Sequence, residues 1–188
     1  VICFDEKSKQ LLEDSRNPIP LKPGSAVKYD YEYKRHGTCN IFAAIETKAG
    51  RHYIKVTNQR TRQDFAHFMK WMIEDHYKKA KKIRVVLDNL NTHFEKSFYE
   101  TFSIRESKRL LNRVEFVYTP KHASWLNMAE IEINLMDTEC LDRNIGSRQV
   151  IERELQTWCN QNNLEKRKIF WRFTRKKADK KLSKYYVS

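Results

Sequence analysis

"RVVLDNLNTH" (residues 84–93) is the stretch on which the fold turns. Its apolar, β-branched first half reads as a buried strand, and its second half turns abruptly polar at Asp88. A carboxylate at the C-terminal end of a buried strand stands where open α/β sheets bind ligands. The competing reading is an ordinary turn-forming or capping aspartate where a strand surfaces. The neighbouring segments decide between the two.

Immediately upstream, "TRQD" (61–64) has the form of a helix start, and Phe65, Phe68, Met69, Met72, Ile73 and His76 recur at helical spacing up to the basic "YKKAKK". Further upstream, "TCNIFAAIE" (38–46) and "RHYIKVT" (51–57) are strand-like runs joined through "TKAG", whose glycine marks a hairpin turn. "VICF" (1–4) reads as a short buried strand ending at Asp5, and the proline-rich stretch 15–25 as an irregular connection. Downstream come a short helix near 95–103 and the strand "VEFVYT" (114–119). A helix then begins near Ser124 to Asn127, with Leu126, Ala129, Ile133, Met136 and Cys140 on one stripe. Gly146 and Ser147 are expected to break it and to cap a final helix holding Val150, Ile151, Leu155 and Trp158.

This order, a three-strand meander followed by α/β units, predicts an α/β fold: a mixed sheet with helices on both faces, as in ribonuclease-H-like proteins. The 188 residues suit one domain of ordinary size, expected over 1–163, followed by a basic aromatic tail over 164–188 that is expected to be peripheral. The start at "VICFDEKS", already inside a strand-like run, leads us to expect an N-terminal DNA-binding domain missing from this chain.

There are 37 Lys plus Arg against 24 Asp plus Glu, a net charge of +13, which favours a polyanionic partner, DNA first. No apolar stretch approaches a transmembrane span and no signal-peptide pattern is visible, so no membrane association is expected. The four cysteines (Cys3, Cys39, Cys140, Cys159) form neither a C-x-x-C pair nor a disulfide framework and are expected to remain thiols.

Three carboxylates fall at element ends: Asp5, Asp88, and either Glu130 or Glu132. If the strands carrying Asp5 and Asp88 are neighbours, the two aspartates emerge side by side and repel unless a cation lies between them. Oxygen ligands without His or Cys suit Mg²⁺ or Mn²⁺, and two such ions suit phosphoryl transfer. Helical periodicity leaves Glu130 and Glu132 as equal alternatives, because they flank the apolar stripe at similar angles.

"CFDEKS", "YKRHGTCNIFAAI", "VVLDNLNTH" and "YTPKHASWLNMAEIE", in this order, resemble the catalytic domain of bacterial insertion-sequence transposases of the Tc/mariner superfamily, and "FWRFTRKKADKKL" resembles its C-terminal end. The resemblance implies a ribonuclease-H-like domain with an Asp-Asp-Glu (DDE) triad and two Mg²⁺ ions. It also implies hydrolysis at transposon ends followed by attack of the freed 3′-hydroxyl on target DNA. Carried over by position, the triad is Asp5, Asp88 and Glu130, the last aligned by "SWLNMAE", with Glu132 in reserve. A homodimer or larger assembly on DNA, in a bacterial, nucleoid-associated cytoplasmic setting, is the accompanying expectation. The 41 residues between Asp88 and Glu130 imply an enlarged connection around "SIRESKRLLNR". The alternatives are another ribonuclease-H-like nuclease, such as a resolvase or hybrid nuclease, and a domesticated relative that binds DNA without cutting it.

The candidate DNA contacts are Asn89 and His93 just past Asp88, Lys34 and Arg35 in "YKRHGT", His122, Trp125 and Asn127 before the glutamate, and Arg172, Arg175, Lys176 and Lys177 in the tail. Each has a plainer reading: a loop histidine satisfied by backbone, a buried aromatic anchoring a helix start, a solvated basic face. Glu6 directly follows Asp5, so in a continuing strand it points to the opposite face, and it reads as structural.

Overall fold

The computed structural model describes residues 1–16, 19, 22–25, 30–121 and 123–183. Three strands come first: β1 (Ile2–Asp14), β2 (Tyr33–Glu46) and β3 (Arg51–Thr57). They are followed by α1 (Arg62–Trp71), β4 (Ile83–Leu87), α2 (Lys96–Thr101), α3 (Ile104–Leu111) and β5 (Val114–Tyr118). The chain then forms α4 (Ala129–Met136), α5 (Arg148–Glu165) and α6 (Arg175–Leu182). The strands make one five-stranded sheet ordered β3-β2-β1-β4-β5. The β1/β2 and β2/β3 pairs are antiparallel, and the β1/β4 and β4/β5 pairs are parallel. A meander has thus been extended by crossover units, and the expected mixed sheet is what forms.

Strand alternation divides the sheet into two faces. Ile2, Phe4, Phe42, Val85 and Leu87 pack with Phe65, Phe68 and Met69 of α1 and with Phe98 and Leu110 of α2 and α3. On the other face Cys39, Ile41 and Ala43 meet Ile133 and Met136 of α4 and Ile151, Leu155 and Trp158 of α5. Phe4 lies at the centre of the first face, with ring centroids 5.3 Å from both Phe65 and Phe68. Burying each such aromatic contributes about 2–3 kcal/mol.

Helix α1 begins as its sequence predicts. Thr61 accepts from the Asp64 N–H while the Asp64 carboxylate accepts from the Thr61 N–H, a reciprocal capping box. Gly50 closes the β2–β3 turn at φ +64°, and a Cβ there would lie 2.5 Å from the backbone of Lys166, so the chain leaving α5 crosses directly over this turn.

Four expectations need correction. β1 does not end at Asp5: it runs on to Asp14, because its whole length pairs with β2 from Cys3↔Ile45 to Asp14↔Tyr33. The charged residues beyond Asp5 concealed this, since a ladder requires only backbone. Lys34 and Arg35 accordingly lie on β2, which begins at Tyr33 rather than at the expected Thr38. Ser147 occupies the α5 N-cap position but makes no capping bond, its hydroxyl donating instead to Gln149 Oε1 at 2.8 Å. The tail, expected to be peripheral, is exposed over most of its described length but docks at two points, where Ile169 packs beside Cys3, Ile45 and Ala129 and Phe173 packs on Trp125. Residues 17, 18, 20 and 21 of the 15–25 connection lie outside the described residues, as do Tyr185 and Tyr186. The enlarged connection before β5 is a helix, α3, capped by Ser103.

Candidate active site

β1 and β4 run parallel with Ile2 opposite Val85 and Cys3 opposite Val86. Continuing that register two places sets Asp5 level with Asp88. Cys3 and Val86 both pack with Ala129 of α4, and side chains two residues on share their face, so both aspartates face α4. Glu130, half-buried, stands in the first turn of that helix.

The start of α4 is fixed from the sheet. Beyond Cys3 the β4 side of β1 has no strand partner, and the side-chain amide of Asn127, wholly buried, donates to the Phe4 carbonyl at 2.7 Å. Its Oδ1 accepts from the Ala129 N–H at 3.2 Å. One side chain therefore satisfies the orphaned carbonyl next to Asp5 and the orphaned N–H of the residue immediately before Glu130. Asn127 is a positioning residue in this structure, and its burial removes it from the candidate DNA contacts.

The electrostatics are those of uncompensated negative charge. Burial pushes the Asp5 carboxyl up to about 7, and the charges of Glu6, Asp88 and Glu130 add to this against the one hydrogen bond from the Glu6 N–H. Asp88 goes the other way: the His93 ring, and then the Leu90 N–H, hold it below the usual carboxylate range despite partial burial. In each aspartate the bonds fall on Oδ1, at 2.8 Å from Glu6 N in Asp5 and 2.8 Å from His93 Nδ1 in Asp88. Oδ2 is left without a hydrogen bond among the described residues.

As they stand, no three His, Cys, Asp or Glu side chains among the described residues converge closely enough to hold an ion. The donor set nevertheless fits a hard divalent cation. It consists of carboxylates alone, each aspartate has an oxygen without a hydrogen bond among the described residues, and the burial and repulsion that together raise Asp5 are what a cation would offset.

The His93 side chain is 1% exposed and the Glu6 side chain 3%, which takes the His93 ring off any DNA-facing surface. Its Nδ1 meets Asp88, and its Nε2 lies 2.8 Å from Glu6 Oε2, in ion-pair contact but off the axis of a well-formed hydrogen bond. Burial alone would lower the His93 pKa, but the bonds and charges of Asp88 and Glu6 carry it up to about 9. Strand alternation predicted Glu6 on the face opposite Asp5, which in the structure is the face of Phe4 beneath α1. Nothing in the sequence indicated that His93 would fold back to meet it.

Glu132 is engaged elsewhere, buried against His52 of β3 with Oε2 2.8 Å from Nε2. Asn89 is exposed and ties the end of β4 to β5 by donating to the Thr119 carbonyl at 2.6 Å. Lys34 and Arg35 sit at the far end of the β1/β2 ribbon, where Lys34 pairs with Glu13, roughly 26 Å from Asp5 at about 3.3 Å per residue. Trp125 carries the Phe173 ring at 5.0 Å and Lys181 Nζ at 4.7 Å. Arg172, Lys176 and Lys177 are exposed on the segment that docks there. His122 and the Arg175 side chain lie outside the described residues.

A family model described as DDE superfamily endonuclease matches residues 1–152. No curated protein matches the chain. Among solved structures, the Mos1 mariner paired-end complex with Mn aligns at a TM-score of 0.57 and 12% identity, over 88% of this chain and 49% of that one. The Mos1 strand transfer complex gives 0.57 and 13%, over 85% and 46%. The Mos1 paired-end complex with left transposon end gives 0.52 and 14%, over 85% and 47%. The chain spans about half the length of these proteins. At such identity the likeness shows the fold, which is ribonuclease-H-like.

Proposed function

Since this chain belongs to the DDE superfamily endonucleases, we propose that it is the catalytic domain of a DNA transposase, with Asp5, Asp88 and Glu130 as its triad. The observation that carries this reading is the β1/β4 register, which brings the two aspartates level on one face beneath the first turn of α4. Asp5, Asp88 and Glu130 would hold two Mg²⁺ or Mn²⁺ ions, which supply a nucleophilic oxygen at neutral pH and stabilisation of the leaving oxygen. The protein's own part is orientation. Asn127 seats α4 against β1, and His93 and the Leu90 N–H hold one oxygen of Asp88. The ionised carboxylates favour the cation over a proton once the pH exceeds the raised value of Asp5.

The substrate we propose is duplex DNA, cut at transposon ends and then joined through the freed 3′-hydroxyl to a second duplex. A net charge of +13 suits this partner. So do the neighbours, two of which are named for paired ends and one for strand transfer. The catalytic unit is assigned to 1–163, although α5 continues to Glu165, with the tail over 164–188 and assembly as a homodimer or larger complex on DNA. Among the described residues no helix is long and apolar enough to cross a membrane.

The deciding experiment supplies a precut 3′-end and a labelled plasmid with Mn²⁺. Joined product is the expected result, whereas cleavage without joining would assign the chain to hydrolytic nucleases instead.

The exposed basic tail residues are expected to contribute affinity without sequence choice. Replacing Lys176 and Lys177 together by alanine should reduce the slope of log affinity against log salt by about 2, since each phosphate contact contributes about 0.9. Fluorescence anisotropy across a salt series checks this, and an unchanged slope removes α6 from the DNA surface.

A further inference from the structure

The side chains of His93 and Glu6 are buried beside the triad, 1% and 3% exposed, and the role given above to His93 leaves Glu6 without one. Their position is specific. Glu6 extends from β1 to the α1 face, opposite to Asp5. His93 closes the turn after β4, packed edge-on to Phe4 with ring centroids 5.1 Å apart and held from the other side by Phe65 at 5.1 Å. Its backbone is also pinned, with the N–H donating to the Leu90 carbonyl at 3.0 Å and the carbonyl accepting from the Tyr118 hydroxyl at 2.8 Å. Two aromatic walls and two backbone bonds leave the ring little freedom.

We propose that Glu6 and His93 are positioning residues: Glu6 anchors the Nε2 side of the ring so that Nδ1 fixes Oδ1 of Asp88, leaving Oδ2 turned toward Asp5 and Glu130. The inference rests on the triad proposed above and assigns the residues that orient its second carboxylate. A histidine between two carboxylates is oriented only if both its nitrogens are engaged. Here one strand supplies a metal-facing carboxylate and, from the adjacent residue on its other face, the carboxylate that steadies the second one. The Asp5-Glu6 pair thus serves both faces of the sheet at one point, and the link from β1 to the β4 turn passes around the strand end, where no ladder bond can make it.

A partner of this kind is worth about 10–100-fold in metal affinity. The test measures Mn²⁺ binding to the full chain by the loss of the free-ion electron paramagnetic resonance signal, below the melting temperature of every variant. Glu6→Gln is expected to weaken Mn²⁺ binding about tenfold. At position 93 the choice of amide discriminates, because asparagine places its NH₂ where Nδ1 stood and glutamine where Nε2 stood. His93→Asn should therefore retain more Mn²⁺ affinity than His93→Gln, although glutamine fills the space better. Adding Glu6→Gln to His93→Gln should cost nothing further. A merely structural pair would lower the melting temperature and leave Mn²⁺ affinity of the folded protein unchanged, and that result, or glutamine outperforming asparagine, overturns the proposal. If Glu6→Gln does not fold, the comparison at position 93 decides. Wild-type protein that binds no Mn²⁺ would overturn the triad's metal reading and this one with it. Normal wild-type binding with unaffected variants overturns only this one.

Discussion

Asp88→Asn is expected to reduce metal-dependent DNA cleavage by about 10³-fold or more while leaving DNA affinity within about twofold. The exchange keeps the side chain's shape and one oxygen but removes the charge that, with Asp5 and Glu130, would hold the cations. Affinity for DNA comes from a basic surface that it does not touch. A burst of product at wild-type rate from Asp88→Asn would sink the triad assignment. A binding measurement supports the same point without turnover. Asp5 has its carboxyl raised to about 7 in the folded chain against an ordinary 3.8. Between those values the native state carries a proton that the unfolded state lacks, so this group makes the metal-free protein less stable as the pH rises through that window. A cation that binds the ionised form reverses the loss. Mn²⁺ should thus raise the melting temperature more at pH 8 than at pH 5.5, and a shift independent of pH, or one that survives in Asp88→Asn, would contradict the site.

Glu130 and Glu132 lie two residues apart on α4 and should fail in opposite ways. Glu130→Gln is expected to lose cleavage about 10³-fold with the melting temperature nearly unchanged, since Glu130 is half-buried and holds no ion pair among the described residues. Glu132→Ala should instead destabilise the fold by about 3 kcal/mol, because it strips the partner from a buried His52 and leaves a cavity under α4. Roughly 6–12 °C in melting temperature is the expected readout for a chain of this size. Cleavage per folded molecule should stay within about tenfold of wild type, as α4 remains seated through Asn127. Exchange of these two phenotypes would transfer the third ligand to Glu132 and require α4 to roll from its present contacts.

The segments with strong periodicity were legible. The capping box at Thr61, the hairpin at Gly50 and the β-branched run of β4 each carry their own local physics, and the structure follows them. β1 beyond Asp5 was not legible, because "EKSKQLLED" has no apolar alternation and becomes a strand only through the ladder that β2 offers. Nor was the docking of the tail, since composition alone describes a solvated basic run and only the passage over Gly50 carries it onto Trp125.

By itself the sequence determined the order of elements, the positive charge that invites a polyanion, and the candidate carboxylates, because these depend on local propensity and on side-chain chemistry. Helical periodicity left Glu130 and Glu132 equivalent, since both flank the same stripe, and only the family resemblance of "SWLNMAE" favoured Glu130. The tertiary structure supplies a physical difference between them: β3 brings His52 under α4, where it takes Glu132, while Glu130 is close enough for its charge to act on Asp5. It likewise decided that His93 faces carboxylates rather than DNA, because the turn after β4 folds the ring inward between Phe4 and Phe65, a contact across 89 residues that no local pattern encodes. Spacing along the chain sets which groups are available, and packing between distant segments sets which of them meet.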